Sequence, residues 1–105
     1  MEIVFQKTYL SDLFYTGKTK EKQYRFQPQV VRKYAKVVGI LESVKRLEDL
    51  FRFNSLNFEA LESRENYYSV RVDLQYRLEF SMSSREGETI LTICNLEELT
   101  NHYKK

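Results

Sequence analysis

Two arginines near the middle of the chain have the spacing of side chains that could bind a phosphate. The stretch Tyr67–Met82 (YYSVRVDLQYRLEFSM) carries apolar residues at every second position on both sides of a short break. This period predicts two β-strands, each with one buried face. A three-residue loop at 73–75 keeps the two apolar sets in phase and places Arg71 directly opposite Arg77.

Facing arginines are unfavourable for folding alone. Like charges opposite each other destabilise a sheet by about 0.2–1 kcal/mol. Guanidinium groups stay charged and bind phosphate through two parallel hydrogen bonds. The pair Arg71 and Arg77 therefore indicates an exposed, anion-binding sheet face. The alternative is that both arginines extend into solvent, or that Glu79 and other carboxylates neutralise them.

The composition is that of an ordinary globular protein. The chain has 105 residues, 42% hydrophobic and 30% charged, with a formal net charge of +2. This length predicts a single domain over residues 1–105. Basic residues concentrate between Lys18 and Lys36, where Glu21 is the single acidic residue. No stretch resembles a signal peptide or a membrane span, so we expect a cytoplasmic protein without membrane contact.

The patterns predict helices before a group of strands. The segment EIVFQ predicts a first strand, and a short helix is expected to end at Gly17. An apolar stripe from Pro28 predicts an amphipathic helix with a basic outer surface. After the hairpin we expect a last strand over 89–95 and a short helix over 96–105. Helices grouped before an antiparallel sheet predict an α+β fold.

Residues for several kinds of chemistry are missing. One His and one Cys cannot supply a zinc site of the usual ligand types, and there is no glycine-rich phosphate loop. Cys94 lies in the apolar run ILTICNL, which predicts a buried, reduced thiol. A nucleophilic pair of Cys94 with His102 stays formally possible. The remaining acid–base candidates are Glu59, Glu62, Glu79, His102 and Tyr103.

Four segments together resemble the HigB branch of the RelE-like bacterial toxins, also called plasmid maintenance system killer proteins. They are the basic helix from Pro28, LNFEALE at 56–62, YSVRVDLQYRLEF at 68–80 and ICNLEELTNHYK at 93–104. The resemblance implies a RelE-like microbial RNase fold and a toxin that cleaves mRNA on the translating ribosome. It also implies a HigA-like helix-turn-helix antitoxin, and the toxin would bind operator DNA only through this antitoxin. No cofactor is implied.

The resemblance carries over Arg77, which follows an aromatic residue after the hairpin turn as the family's arginine does. Such an arginine would stabilise charge on the scissile phosphate during attack by the ribose 2′-OH. That reaction needs a base and an acid but no metal ion. Glu59 and Glu62 correspond to the basic and imidazole groups that some members carry before the hairpin, and one of them would be the base.

The end of the chain departs from better-studied members, whose last strand closes with an acidic residue, a tyrosine and a histidine. Asn95, Leu96 and Glu97 stand there instead. We hypothesise that His102 or Tyr103 folds back as the proton donor. The alternative is a terminal helix that covers the end of the sheet and packs Tyr103 onto the core.

Six basic residues are predicted to contact RNA or the ribosome: Lys22, Arg25, Arg32, Lys33, Lys36 and Arg71. The alternative for the helix residues is a solvated surface, the usual role of charges on an outer helix face. Two other classes of function stay open. One is a non-enzymatic toxin of this fold that binds a protein such as DNA gyrase, as the ParE branch does, and the other is an inactive binding module.

Overall fold

The helices lie between the first strand and the other four along the chain. A computed structural model describes residues 1–101. The α-helices are α1 (Thr8–Thr16) and α2 (Pro28–Ser43), and neither is long and apolar enough to span a membrane. Short 3₁₀ turns lie at Lys22–Tyr24, Leu47–Arg52 and Asn54–Leu56. The strands are β1 (Glu2–Phe5), β2 (Glu59–Ala60), β3 (Tyr67–Arg71), β4 (Tyr76–Ser83) and β5 (Ile93–Asn101).

The five strands form one mixed sheet in the order β1-β5-β4-β3-β2. The strands β2, β3, β4 and β5 pair antiparallel, whereas β1 runs parallel to β5. The α+β prediction is confirmed, but the sheet is not purely antiparallel. Parallel neighbours require a crossover connection, and here the helices and the other strands lie between β1 and β5 in the chain.

The predicted apolar stripe of α2 is its buried face. It consists of Val30, Val31, Tyr34, Val37, Val38 and Leu41. Tyr34 and Leu41 belong to the same apolar cluster as Leu78 and Phe80 of β4. Side chains alternate between the two faces of a strand, so one sheet face packs against the helices. We call that side of the molecule the helical side and the opposite surface of the sheet the outer face.

The ends of the helices follow the predicted signals. Pro28 occupies the start of α2, where its missing N–H removes no helical hydrogen bond. Gly17 ends α1 with a left-handed φ of 76°, and its N–H donates to the carbonyl oxygen of Leu13 at 3.1 Å. Tyr34 then joins the two helices, because its hydroxyl group donates to the carbonyl oxygen of Leu10 at 2.7 Å.

The hairpin has the predicted register. The pairs are Tyr68 with Phe80, Ser69 with Glu79, Val70 with Leu78 and Arg71 with Arg77. Asp73 shapes the loop, because its Oδ1 accepts hydrogen bonds from the N–H groups of Gln75 at 2.8 Å and Tyr76 at 2.7 Å. The side-chain acceptor replaces a backbone carbonyl in the turn. The loop therefore keeps both arginines on the outer face.

The predicted terminal helix is wrong for residues 96–101, and the last strand is displaced from 89–95. The strand β5 continues to Asn101, and residues 102–105 lie outside the described part of the chain. Leu96 and Leu99 suggested a helix because they are three residues apart. In the sheet Leu96 pairs with Phe80 and Leu99 with Leu78, so β5 contains one extra residue relative to β4. This β-bulge produces helix-like spacing within a strand.

Candidate active site on the outer sheet face

Side chains from three strands meet on the outer face beside the hairpin. Glu59, Ser69 and Glu79 form one row, since Ser69 pairs with Glu59 on β2 and with Glu79 on β4. Arg71 and Arg77 form part of the next row. Neighbouring strands lie about 4.8 Å apart, so a guanidinium group and two carboxylates share a small area.

Arg77 is buried although it carries a charge, with 4% of the residue exposed. Its Nε donates to Ser69 Oγ at 3.0 Å, and its Nη2 donates to the carbonyl oxygens of Asn57 at 2.8 Å and Ser69 at 3.2 Å. Glu59 Oε1 lies 3.7 Å from the same Nη2. The other terminal nitrogen, Nη1, is also buried and has no hydrogen-bond partner within residues 1–101. An unpaired buried donor costs about 1–3 kcal/mol, so a ligand oxygen at this nitrogen would be stabilised.

The two facing arginines differ in environment. The expectation of an exposed pair is wrong for Arg77, because the segment that carries Asn57 and Glu59 covers it, whereas Arg71 is partly exposed. Burial lowers the pKa of Arg77 below its ordinary value, Glu59 opposes the shift, and Arg71 adds to it. A guanidinium group remains a cation at neutral pH despite such a shift. Arg77 is therefore a fixed positive charge within the protein.

A pocket of about 320 Å³ opens beside this charge. It is lined by Glu59, Leu61, Ser69, Arg77, Glu79, Thr100 and Asn101. Its volume is at the lower end of ligand pockets, which begin at about 300 Å³, and suits a nucleotide fragment better than a large ligand. The lining combines a cation with two carboxylates, which acid–base chemistry at a phosphate would use.

Glu79 is a partly buried acid in this pocket. Burial raises the pKa of its carboxyl group, and Glu98, its partner on β5, raises it further. Arg64, a hydrogen bond with Tyr67, and Arg77 oppose the shift. The net result is a pKa above the ordinary value. Glu79 therefore retains a proton at a higher pH than an exposed glutamate does.

The structure brings together only some of the predicted catalytic residues. Glu59 lines the pocket with Arg77, and its side chain is 44% exposed. Glu62 is exposed in the turn before β3 and is not among the residues that line this pocket. His102 and Tyr103 lie outside the described residues.

The predicted RNA-binding residues belong to different elements. Arg71 shares the outer face with Arg77. The other five are exposed, three on α2 and two between the helices: Arg32, Lys33, Lys36, Lys22 and Arg25. None of these five lines the Arg77 pocket.

A second, more apolar pocket of about 580 Å³ lies on the helical side. Leu13, Phe26 and Val31 contribute apolar surface to it, and Arg25 and Arg32 also line it. Apolar surface beside cations suits a protein segment with both apolar and acidic side chains.

Ser69 and Asn57 hold Arg77 but were absent from the sequence prediction. The register of the hairpin could have identified Ser69, because it places this residue on the same face as Arg77 and opposite Glu79. Asn57 contributes its backbone carbonyl oxygen. No residue pattern reveals that contact, since any residue type carries the same carbonyl group.

The thiol of Cys94 is buried in the sheet. Burial raises the pKa of the Cys94 thiol to about 12, which suppresses the reactive thiolate. The prediction of a buried thiol is confirmed. In this part of the chain no group of three or more His, Cys, Asp or Glu residues is placed to hold a metal ion.

The arrangement of strands and helices is similar to that of a YoeB/ParE toxin from Agrobacterium tumefaciens. The similarity covers 98% of this chain and 100% of that one, with a TM-score of 0.53 and 16% sequence identity. No family model and no curated protein matches the sequence. The protein thus has a fold of the RelE/ParE toxin type.

Proposed function

We propose that this protein is the toxin of a type II toxin–antitoxin system and that it inhibits translation by cleaving mRNA on the ribosome. The observation that carries the proposal is the buried Arg77, whose Nη1 has no hydrogen-bond partner within residues 1–101 and which lines a pocket with Glu59. A preorganised cation of this kind stabilises charge that develops on a phosphate. The toxin-type fold and the resemblance of four sequence segments to HigB toxins also support the proposal.

The proposed reaction is attack of the ribose 2′-OH on the adjacent phosphorus. Arg77 would donate from Nη1 to a non-bridging phosphate oxygen and stabilise the phosphorane. Glu59 would accept the proton of the 2′-OH, because its partly exposed carboxylate lies beside the guanidinium group. Glu62, which lies outside the pocket lining, is the weaker candidate for the base.

Binding to the ribosome would use the exposed cations. Arg71 would contact RNA next to the pocket, and the exposed cations of α2 and of the segment before it would attract ribosomal RNA: Lys22, Arg25, Arg32, Lys33 and Lys36. The proposed partners are therefore mRNA and the ribosome in the cytoplasm. A HigA-like helix-turn-helix antitoxin would neutralise the toxin and provide its only contact with operator DNA.

The proposal is tested by controlled expression of wild type and Arg77→Ala in a bacterial host. We expect the wild type to arrest translation and to produce new mRNA 5′ ends within reading frames. We expect Arg77→Ala to do neither at an equal level of folded protein. The wild type should also cut free mRNA much less than ribosome-bound mRNA, because the ribosome orients the substrate.

A second candidate function is a toxin that acts by binding a protein target, as ParE-type toxins do. The apolar pocket with Arg25 and Arg32 on the helical side favours this reading. Toxicity that survives Arg77→Ala without any mRNA cleavage would support it. Wild-type expression without a growth defect would instead support an inactive binding module of the same fold.

A further inference from the structure

Two carboxylates flank Ser69 on the outer face, and they differ in surroundings. Glu59 pairs with Ser69 from β2 and Glu79 pairs with it from β4. Both line the pocket of Arg77. The Glu59 side chain is 44% exposed, and its Oε1 lies 3.7 Å from Nη2 of Arg77. Glu79 is partly buried and faces another glutamate, Glu98, across the strands.

We infer that Glu79 is the general acid of the site and protonates the leaving 5′ oxygen, while Glu59 removes the 2′-OH proton. This assignment rests on the proposed RNA cleavage and deepens it by identifying the second proton-transfer residue. It also places both proton-transfer groups on the sheet, where paired strands fix their positions, and does not require His102 or Tyr103.

Charged and titratable groups around Glu79 act on its protonation in both directions. Burial and the facing Glu98 favour the protonated form, while Glu98 itself forms an ion pair with Lys7 and accepts a hydrogen bond from Tyr9. Arg77, Arg64 and the hydrogen bond with Tyr67 favour the carboxylate but do not reverse the shift. Two carboxyl groups in one pocket with different environments are suited to opposite roles in proton transfer.

The proposed step is balanced in atoms and charge. The 2′ oxygen forms a bond to phosphorus as its proton moves to the Glu59 carboxylate. The bond from phosphorus to the 5′ oxygen breaks as the Glu79 carboxyl group gives its proton to that oxygen. The products are a 2′,3′-cyclic phosphate and a free 5′-OH. Glu59 ends protonated and Glu79 ionised, and exchange with water restores both.

The first test compares single-turnover cleavage by wild type and Glu79→Gln on purified ribosomes carrying a defined mRNA, across a range of pH. Glutamine keeps the shape of the side chain but cannot give up a proton in this role. We expect the variant to be slower by roughly 100- to 10,000-fold. The wild-type rate should fall on the alkaline side as Glu79 ionises, and the variant should lack that fall. The matched control is Glu86→Gln in the exposed β4–β5 loop, which should match the wild type.

The second test replaces the scissile 5′ oxygen of the mRNA with sulfur. A thiolate leaves without protonation, so this substrate does not need a general acid. We expect it to restore cleavage by Glu79→Gln to within about tenfold of the wild type on the same substrate. It should not restore Arg77→Ala. A merely structural defect in Glu79→Gln would not be rescued by sulfur, and that result would overturn the inference.

Folding is checked by thermal unfolding. A carboxyl pKa that is raised in the folded state means that ionised Glu79 destabilises the fold above the pKa of the unfolded chain. We therefore expect Glu79→Gln to have an unfolding temperature at neutral pH equal to or above that of the wild type.

Failure of the inference can be told apart from failure of the proposed function. If Arg77→Ala abolishes cleavage but Glu79→Gln keeps the wild-type rate and pH profile, the acid assignment is wrong and the nuclease remains. The assignment is also wrong if sulfur rescues His102→Ala or Tyr103→Phe but not Glu79→Gln. If Arg77→Ala leaves toxicity intact and the wild type cuts no mRNA, the proposed mRNA cleavage is itself wrong.

Discussion

Arg77 on the outer face and Lys33 on α2 are both cationic side chains on regular secondary structure, but their surroundings are opposite. Arg77 is 4% exposed and donates to three oxygen acceptors, whereas Lys33 is exposed on the helical side. The buried guanidinium group has a fixed direction, so geometry determines what it can bind. An exposed ammonium group acts through its charge, which salt screens. Cleavage should therefore depend on the shape of the side chain at position 77 and only on its charge at position 33.

The largest expected effect comes from Arg77→Lys. The variant keeps the charge but loses the planar group that donates in several fixed directions at once. We expect single-turnover cleavage on ribosomes to fall by roughly 100-fold or more, as for the loss of an aligned transition-state donor. Lys33→Arg is the matched exchange on the helical side and should leave the rate unchanged. If Arg77→Lys and Lys33→Arg changed the cleavage rate equally, the fixed geometry of the Arg77 guanidinium group would not matter for cleavage.

The next effect concerns the hydrogen bond from Arg77 to Ser69. Ser69→Ala removes the Oγ that accepts from Arg77 Nε at 3.0 Å and leaves a second buried donor unpaired. We expect a loss of about 1–3 kcal/mol in the free energy of unfolding, measured by urea denaturation, together with slower cleavage. The control is Ser63→Ala in the exposed turn before β3, which should stay within about 0.5 kcal/mol. A neutral Ser69→Ala would mean that Arg77 does not need this acceptor.

A third effect arises from buried tyrosines on the helical side. Burial raises the pKa values of Tyr9 and Tyr34 well above the ordinary value. Below about pH 10 these tyrosines are protonated in both the folded and the unfolded protein. Above about pH 10 the unfolded chain loses these protons and the folded protein retains them. The free energy of unfolding should therefore fall by about 1.4 kcal/mol per pH unit for each tyrosine. Urea denaturation from pH 8 to 11 measures this slope.

Tyr34→Phe provides the control for the alkaline slope. The variant loses the hydrogen bond to Leu10 and should be less stable at every pH. Its stability should nevertheless fall less steeply above pH 10, since one titrating group is gone. An unchanged slope would show that ionisation of Tyr34 is not coupled to unfolding.

The smallest expected effect belongs to the exposed cations of α2. Lys33→Gln combined with Lys36→Gln should leave stability within about 0.5 kcal/mol and weaken ribosome binding at low salt. The slope of log affinity against log salt should decrease in magnitude by about 1.4 to 1.8. Lys45→Gln with Arg46→Gln changes two exposed cations beyond α2 and is the control. If both pairs behave alike, the α2 surface is solvated and has no specific role in binding.

Local sequence patterns predicted the strands that carry the site but did not predict that Arg77 is buried. Alternation around Asp73 was enough to pair Arg71 with Arg77, because register depends on neighbouring residues and the loop between them. The same alternation could not reveal that Arg77 is buried. That burial depends on Asn57 and Glu59, which reach the hairpin from a separate segment.

The error at the C-terminal end has a similar cause. Leu96 and Leu99 have helical spacing, and only their partners on β4 reveal a strand with an extra residue. This register also sets Glu98 opposite Glu79, which helps to raise the pKa of the proposed acid. Residue type alone made Glu79 a candidate, but its role could not be separated from that of Glu59 until both environments were known.

The sequence by itself determined the hairpin, the buried stripe of α2, and the helix limits at Gly17 and Pro28, since these depend on side-chain period and backbone preference within a few residues. Tertiary structure alone decided which charges are withdrawn from water, because desolvation depends on segments that are distant in the chain. The parallel pairing of β1 with β5 and the covering of Arg77 belong to that second group. The chemistry proposed for the outer face therefore depends on contacts that no local pattern contains.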